Sequence, residues 1–145
     1  MVPTLWGRIQ TRIFLLATVG VLVTAIITPI LPVSGSLSAK YKTTFLVLAA
    51  VCVVGIVWEF IYHFLMQFRW EKDWPSGFGL LTMVNEGIVI WLLLHFGLIP
   101  GIDTAPPIAA FLIQFILVWL AVWVVANGPM RVPFIRWRFH GGRLV

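Results

Sequence analysis

Two glutamates, Glu59 and Glu86, each lie inside a run of about twenty apolar residues, which is the length that crosses a bilayer. An ionisable side chain at such a position is costly and by default indicates a functional site. Glu59 lies eight positions before Gln67, and Glu86 lies nine positions after Gly77. At a rise of about 1.5 Å per residue, the two carboxylates are predicted to lie at a similar depth if the runs pair as a hairpin.

Other polar side chains fall on the same faces of these two runs. His63 follows Glu59 by four positions, a spacing that brings two side chains together on a helix. Tyr62 lies beside this pair, and Asn85 directly precedes Glu86. The sequence therefore predicts one intramembrane polar or ion site, formed by Glu59, Tyr62, His63, Asn85 and Glu86.

Three interpretations of this site are open. The first is a structural cluster in which one carboxyl is protonated and the other pairs with His63, because buried charges must be paired or neutralised. The second is a proton or cation site, since intramembrane Glu and His residues mark ion paths. The third is a metal site, although helical di-metal proteins use Glu-x-x-His and this chain has a single Glu-x-x-x-His. We expect no cofactor.

Motifs for catalysis are weak in this sequence. It contains no Ser-His-Asp ordering, no phosphate-binding glycine loop and no CxxC, and its single cysteine, Cys52, excludes an intrachain disulfide. No arginine falls inside a predicted membrane segment, so we expect none there to hold a phosphate or a carboxylate. These features favour a protein that is not an enzyme.

The amino-acid composition indicates the class of protein. Hydrophobic residues make up 61% of the chain and charged residues 10%, and the mean hydropathy is +1.02, whereas a soluble domain carries about 25% charged residues. We therefore predict an all-α integral membrane protein. The net charge of +5 does not indicate nucleic-acid binding, because the basic residues flank the apolar segments.

Four apolar segments are long enough to span about 30 Å of hydrocarbon. They cover residues 13–31, 44–66, 78–99 and 107–126, and short loops between them predict an antiparallel four-helix bundle. The whole chain, 1–145, is expected to form one membrane domain. Residues 127–145 are predicted to be a basic, aromatic cytoplasmic tail.

The basic residues predict the orientation in the membrane. Eight of the ten Lys and Arg residues fall on the side of the predicted termini and the middle loop, and two, Lys40 and Lys42, fall on the other side. Because positive residues concentrate in cytoplasmic loops, both termini are predicted to be cytoplasmic. A plasma or inner membrane is the expected location.

The tail offers a candidate surface for a partner or for lipid, formed by Arg131, Arg136, Trp137 and Arg138, since basic and aromatic residues bind anionic membrane surfaces. Together these features predict a non-catalytic accessory or stabilising subunit of a larger membrane complex. The alternative is a small oligomeric transporter, coupled to protons or to a cation, that uses Glu59, His63 and Glu86. The expected partners are the bilayer and either a larger membrane protein or further copies of this chain.

Overall fold

The computed structural model describes residues 3–71 and 75–145, and this part of the chain is helical between its turns and loops. Its α-helices are α1 (Leu5–Leu15), α2 (Val21–Ile27), α3 (Leu37–Met66), α4 (Ser76–His95), α5 (Ile108–Asn127) and α6 (Ile135–Phe139). Four stretches are long and apolar enough to cross a membrane, namely Leu5–Ile30, Leu37–Met66, Ser76–His95 and Ile108–Arg131. We refer to them as the first to fourth spans. The predicted all-helical chain with four helices long and apolar enough to cross a membrane is confirmed.

The first span begins at Leu5, well before the predicted boundary at residue 13. Thr4 caps this helix, because its hydroxyl oxygen accepts a hydrogen bond from the Gly7 amide at 3.1 Å, and such a cap satisfies an otherwise unpaired donor. Arg8 and Arg12 therefore lie inside the span. The prediction that no arginine lies inside a membrane segment is wrong.

The other boundaries shift by smaller amounts. α3 begins at Leu37 and not near residue 44, because Ser36 accepts a hydrogen bond from the Ala39 amide and caps the helix. α4 covers Ser76–His95 against a predicted 78–99, and it ends just before Gly97, whose φ of +66° suits a glycine after a helix C-terminus. α5, at Ile108–Asn127, is displaced by one residue from the predicted 107–126.

The first span is irregular where it packs most closely. A single π-helical turn, Leu16–Gly20, separates α1 from α2, and a 3₁₀ turn at Thr28–Ile30 contains Pro29. A Cβ built on Gly20 would lie 3.2 Å from the Leu48 side chain and 3.6 Å from that of Val118. The absence of a side chain at Gly20 thus lets the first span approach α3 and α5, as small residues do in membrane helices.

Two apolar clusters fill the interior. The larger joins α3, α4 and α5 through residues such as Val47, Ile90 and Phe115. The smaller is built around Leu15, Met130 and Trp137, close to the chain's C-terminal residues. Large apolar side chains on the opposite faces remain exposed, as expected of surfaces that face hydrocarbon.

The C-terminal tail, residues 127–145, folds back onto α1. The Trp137 indole N–H donates to the Thr11 hydroxyl at 2.8 Å, and the Leu144 amide donates to Gln10 Oε1 at 2.8 Å. Gly7 allows this approach, because a Cβ at Gly7 would overlap the Gly141 carbonyl oxygen. The tail is therefore a packed part of the fold.

Burial of Trp137 corrects the predicted tail surface. Trp137 is 6% exposed within the smaller apolar cluster, so its ring does not lie on the outer surface of the tail, where it was predicted. The hydrogen bond to α1 explains the difference, since an indole N–H that leaves water needs an acceptor. Arg131, Arg136 and Arg138 remain exposed.

Candidate functional site

The interior of the first three spans contains a cluster of four charged side chains, which we call the quartet: Arg8, Arg12, Glu59 and Glu86. The two arginines come from α1, one glutamate from α3 and the other from α4. Arg8 and Arg12 are four positions apart and so lie on one face of α1. This face meets both glutamates, and the quartet links three helices.

Arg12 lies between the two carboxylates. Its two terminal nitrogens donate to the two carboxylate oxygens of Glu86, each at 2.9 Å. Its Nε donates to Glu59 Oε1 at 2.8 Å. Paired guanidinium–carboxylate bonds of this kind are shorter and stronger than neutral hydrogen bonds, so one arginine binds both membrane glutamates.

Arg8 completes the quartet on the other side of Glu59. Its Nε donates to Glu59 Oε2 at 2.8 Å, so each oxygen of that carboxylate accepts from a different arginine. The side chain of Arg8 is 7% exposed and that of Glu86 is 2% exposed. The formal charges of the quartet sum to zero, which is the condition under which charged groups remain buried.

Two neighbours hold the Arg12 guanidinium in place. Gly55 provides the space on α3, because a Cβ at that position would overlap the guanidinium nitrogen and carbon. The guanidinium carbon also lies 5.7 Å from the ring centroid of Trp119 in α5, within the range of a cation–π contact. Arg12, itself part of the first span, therefore contacts each of the other three spans.

Tyr62 and Asn85 extend the network on the side of Glu86. The Tyr62 hydroxyl donates to Glu86 Oε1 at 3.0 Å and accepts from the Asn85 side-chain amide at 2.9 Å. Tyr62 is 4% exposed, and its ring stacks on Trp58 with centroids 5.5 Å apart. The structure thus brings four of the five sequence-predicted site residues into one network: Glu59, Tyr62, Asn85 and Glu86.

His63 is the predicted member that the structure places outside this network. Its Nε2 lies 3.4 Å from the Gln67 side-chain nitrogen, and its Nδ1 is buried without a hydrogen-bond partner among the described residues. The expected pairing of His63 with Glu59 does not form. Both oxygens of Glu59 are bonded to arginines, and a permanently charged guanidinium is a stronger donor to a carboxylate than an imidazole.

The quartet determines what this site can do chemically. Each carboxylate has a cationic partner within the chain, and removing one partner of a buried ion pair is strongly destabilising, at about 3–5 kcal/mol. A metal site finds no support in residues 3–71 and 75–145, where no group of three His, Cys, Asp or Glu side chains is placed to hold an ion. The geometry is that of an ionic lock between helices.

An open cavity of about 320 Å³ lies beside the quartet. Arg8, Arg12, Glu59 and Tyr62 contribute polar groups to its lining, and the other lining residues come mostly from α1, α4, α5 and the C-terminal tail. Trp119 and Trp123 border it where their indole N–H groups donate to the Gly79 and Ser76 carbonyl oxygens of α4, both at 2.9 Å. The quartet therefore has one face towards space that a small molecule can enter.

A second buried polar layer lies at the other end of the first span. The hydroxyls of Thr28 and Thr44 are hydrogen-bonded at 2.9 Å, and the Gln114 side-chain amide donates to the Thr44 carbonyl oxygen at 2.8 Å. Thr24 and Thr28 are fully buried. This layer is uncharged and links the first span to α3 and α5.

Comparison with known proteins gives no relative: no family model, no curated protein and no solved structure matches this chain. The function of the site is therefore inferred from its own geometry.

Sequence reasoning missed the two arginines, although a signal was present. Arg8 and Arg12 share the i, i+4 spacing, Thr4 is a good N-cap, and no proline or glycine pair separates them from the apolar run at Ile13. Extending the helix back to Thr4 would have placed both guanidinium groups on one helical face. If the span is taken to begin at Ile13, the two arginines only flank it and contribute to the predicted orientation.

Proposed function

We propose that this chain is a non-catalytic accessory or stabilising subunit of a larger membrane complex. The observation that carries the proposal is that Glu59 and Glu86 are both paired with arginines of the same chain. An ion-carrying carboxylate must exchange its counterion, whereas both carboxylates here are held by guanidinium groups of the same chain. The chain's charged interior is thus used to fix the positions of its helices, and its outer faces are left for association.

The arrangement that we propose is an antiparallel bundle. Arg8, near the start of the first span, contacts Glu59, near the end of α3. Thr28, at the other end of the first span, contacts Thr44 near the start of α3. Contacts of this kind, together with short loops between the spans, support alternating helix directions.

Cytoplasmic location of both ends of the chain is also part of the proposal, in a plasma or inner membrane. Arg8 and Arg12 no longer count as flanking charges, because they are buried in the quartet. The remaining basic residues still divide six to two: Arg69, Lys72, Arg131, Arg136, Arg138 and Arg143 against Lys40 and Lys42. The positive-inside rule therefore supports the same orientation.

The outward face of α4 is the surface we propose for a partner or for a second copy of the chain. Its span has the smallest buried share of the four, 17%. Leu81, Val84, Ile88 and Leu92 recur there at spacings of three and four and are all exposed. These residues form one continuous apolar stripe.

Photo-crosslinking in native membranes tests the proposal. A photoreactive amino acid at Val84 should give a discrete adduct with a larger membrane protein, which then co-purifies in a fixed ratio. The same probe at Val57, on the exposed face of α3, is the matched comparison and should give a weaker adduct or none. Recovery of the chain as a monomer from native membranes, without an adduct at Val84, would contradict an accessory role.

A proton-coupled or cation transporter is the second candidate, and one observation favours it: Glu59 and Tyr62 line the open cavity. Reconstitution of the purified chain in liposomes separates the two functions. For an accessory subunit we expect no ion flux. Flux that disappears in Glu86→Gln, while the variant remains folded and reconstituted, would replace our proposal by the transporter.

A further inference from the structure

The size of the cavity beside the quartet limits what can bind there. Ligand sites in proteins occupy about 300–1,000 Å³, and this cavity, at about 320 Å³, lies at the lower end of that range. It accepts a headgroup or a single ring, but not the whole of a two-chain lipid. Any longer apolar part of a ligand must lie outside the cavity along the helices.

The charges around the cavity favour an anion. The quartet contributes two positive and two negative groups, so its net contribution is zero. Arg131, at the end of the fourth span, also lines the cavity and adds one positive charge. Among the described residues, the acidic group that lines the cavity is Glu59, which is already bonded to two arginines.

The Arg131 guanidinium has further N–H donors that can bind an anion. Its side chain is exposed and makes one hydrogen bond within the described part of the chain, from one terminal nitrogen to Asn127 Oδ1 at 3.1 Å. A guanidinium carries several N–H donors in a planar fork, which matches the oxygens of a phosphate. The cavity thus contains one cation that can bind a phosphate, Arg131, next to the quartet, whose formal charges sum to zero.

The surroundings of the cavity point to the bilayer as the source of the ligand. Apolar side chains of the first span and α5 line it, among them Leu15, Leu16, Val118 and Val122. Trp123 and Trp137 border it as well, and tryptophan is enriched at the level of the lipid headgroups. A ligand with a charged head and an apolar body satisfies both kinds of wall.

We infer that this cavity is a binding site for the phosphate-bearing headgroup of an anionic phospholipid, with the phosphate at Arg131 and the acyl chains along the outer faces of α1 and α5. The cavity is a different surface from the α4 stripe, and a lipid can bind in it whether or not the chain is an accessory subunit. Basic residues next to a membrane attract anionic lipid in general; the cavity adds a defined position for one headgroup.

Native mass spectrometry of the purified full-length chain, with added phosphatidylglycerol or phosphatidylcholine, tests this inference. We expect the protein to retain one phosphatidylglycerol molecule in preference to phosphatidylcholine. Arg131→Gln should weaken that retention about tenfold, a loss typical of one charge-assisted contact. Arg136→Gln is the matched control, because Arg136 is also an exposed arginine of the tail but does not line the cavity, and it should leave retention unchanged.

A cavity-filling variant provides an independent measurement. Val122→Trp adds bulk to the wall without altering charge, and it should abolish retention while the thermal midpoint shows that the protein is folded. If Arg131→Gln and Arg136→Gln reduced phosphatidylglycerol retention equally, the inference would be overturned, because the lipid would then be attracted by the basic surface in general. Equal binding of the two lipids would overturn it too, as would displacement of phosphatidylglycerol by inorganic phosphate, which would indicate a site for a soluble anion.

Discussion

The Arg12 guanidinium donates to both carboxylate oxygens of Glu86, at 2.9 Å each, across 74 positions of the sequence. The same guanidinium donates to Glu59 through Nε. The contact therefore fixes the positions of α1, α3 and α4 relative to one another through a single side chain. In a low-dielectric interior such a contact is strong only if every partner is present.

Loss of Arg12 should destabilise the protein far more than loss of an exposed arginine. We expect Arg12→Gln to lower the free energy of unfolding by about 3–5 kcal/mol, because Glu86 is left buried without its cation. Arg138→Gln is the control, since Arg138 is exposed, and it should change stability by less than about 0.5 kcal/mol. Tryptophan fluorescence during thermal or SDS unfolding measures both.

A double-mutant cycle should show that Arg12 and Glu86 act as a unit. Glu86→Gln alone leaves Arg12 with one carboxylate, whereas Arg12→Gln with Glu86→Gln removes both charges together. We expect the double variant to be more stable than the sum of the single losses predicts, with a coupling energy of about 0.5–3 kcal/mol. Simple additivity would mean that the two side chains do not interact in the membrane.

Gly55 should be required for the position of Arg12. Gly55→Ala introduces a Cβ into the volume of the guanidinium, and overpacking of this kind costs about 1–3 kcal/mol. Gly77→Ala is the matched variant in α4, because a Cβ there meets no atom within 4 Å. It should be neutral or stabilising, by up to about 1 kcal/mol. A Gly55→Ala protein as stable as Gly77→Ala would contradict the close packing of Arg12 on Gly55.

The C-terminal tail should unfold locally when Trp137 is removed. Trp137→Ala deletes a buried ring and its hydrogen bond to Thr11, and a buried Trp→Ala change costs about 3–5 kcal/mol. We expect faster trypsin cleavage at Arg138 and Arg143. The neighbouring variant Phe139→Ala, at a residue that is 68% exposed, should leave the cleavage rate unchanged. Equal rates in the two variants would show that the tail does not pack on α1.

The uncharged polar layer should contribute much less than the quartet. Gln114→Leu removes the hydrogen bond to the Thr44 carbonyl oxygen, and interhelical hydrogen bonds in membranes average about 0.6 kcal/mol. The loss should add to that of Arg12→Gln, because the two layers share no partner. Chemical unfolding of the single and double variants measures this. A strongly non-additive result would show that the two layers are coupled through the first span.

Composition and hydropathy were enough to predict the class and the number of spans, since a helix in hydrocarbon needs about twenty apolar residues whatever its neighbours are. The positions of Glu59 and Glu86 within the apolar runs also predicted that the two carboxylates lie at a similar depth, and the structure brings both to Arg12. Tyr62 and Asn85 followed from helical periodicity. Each of these inferences uses local spacing, which the sequence contains directly.

The partners of the glutamates were decided by the tertiary structure. Spacing within α3 favoured His63, which lies one helical turn from Glu59, whereas Arg8 and Arg12 lie about fifty positions away on a segment that looked like a charged flank. Helical spacing predicts which side chains are neighbours on one helix, but not which helix packs against that face. Packing of α1 against α3 at Gly55 brought two guanidinium groups to the carboxylates, and their permanent charge made them the preferred partners.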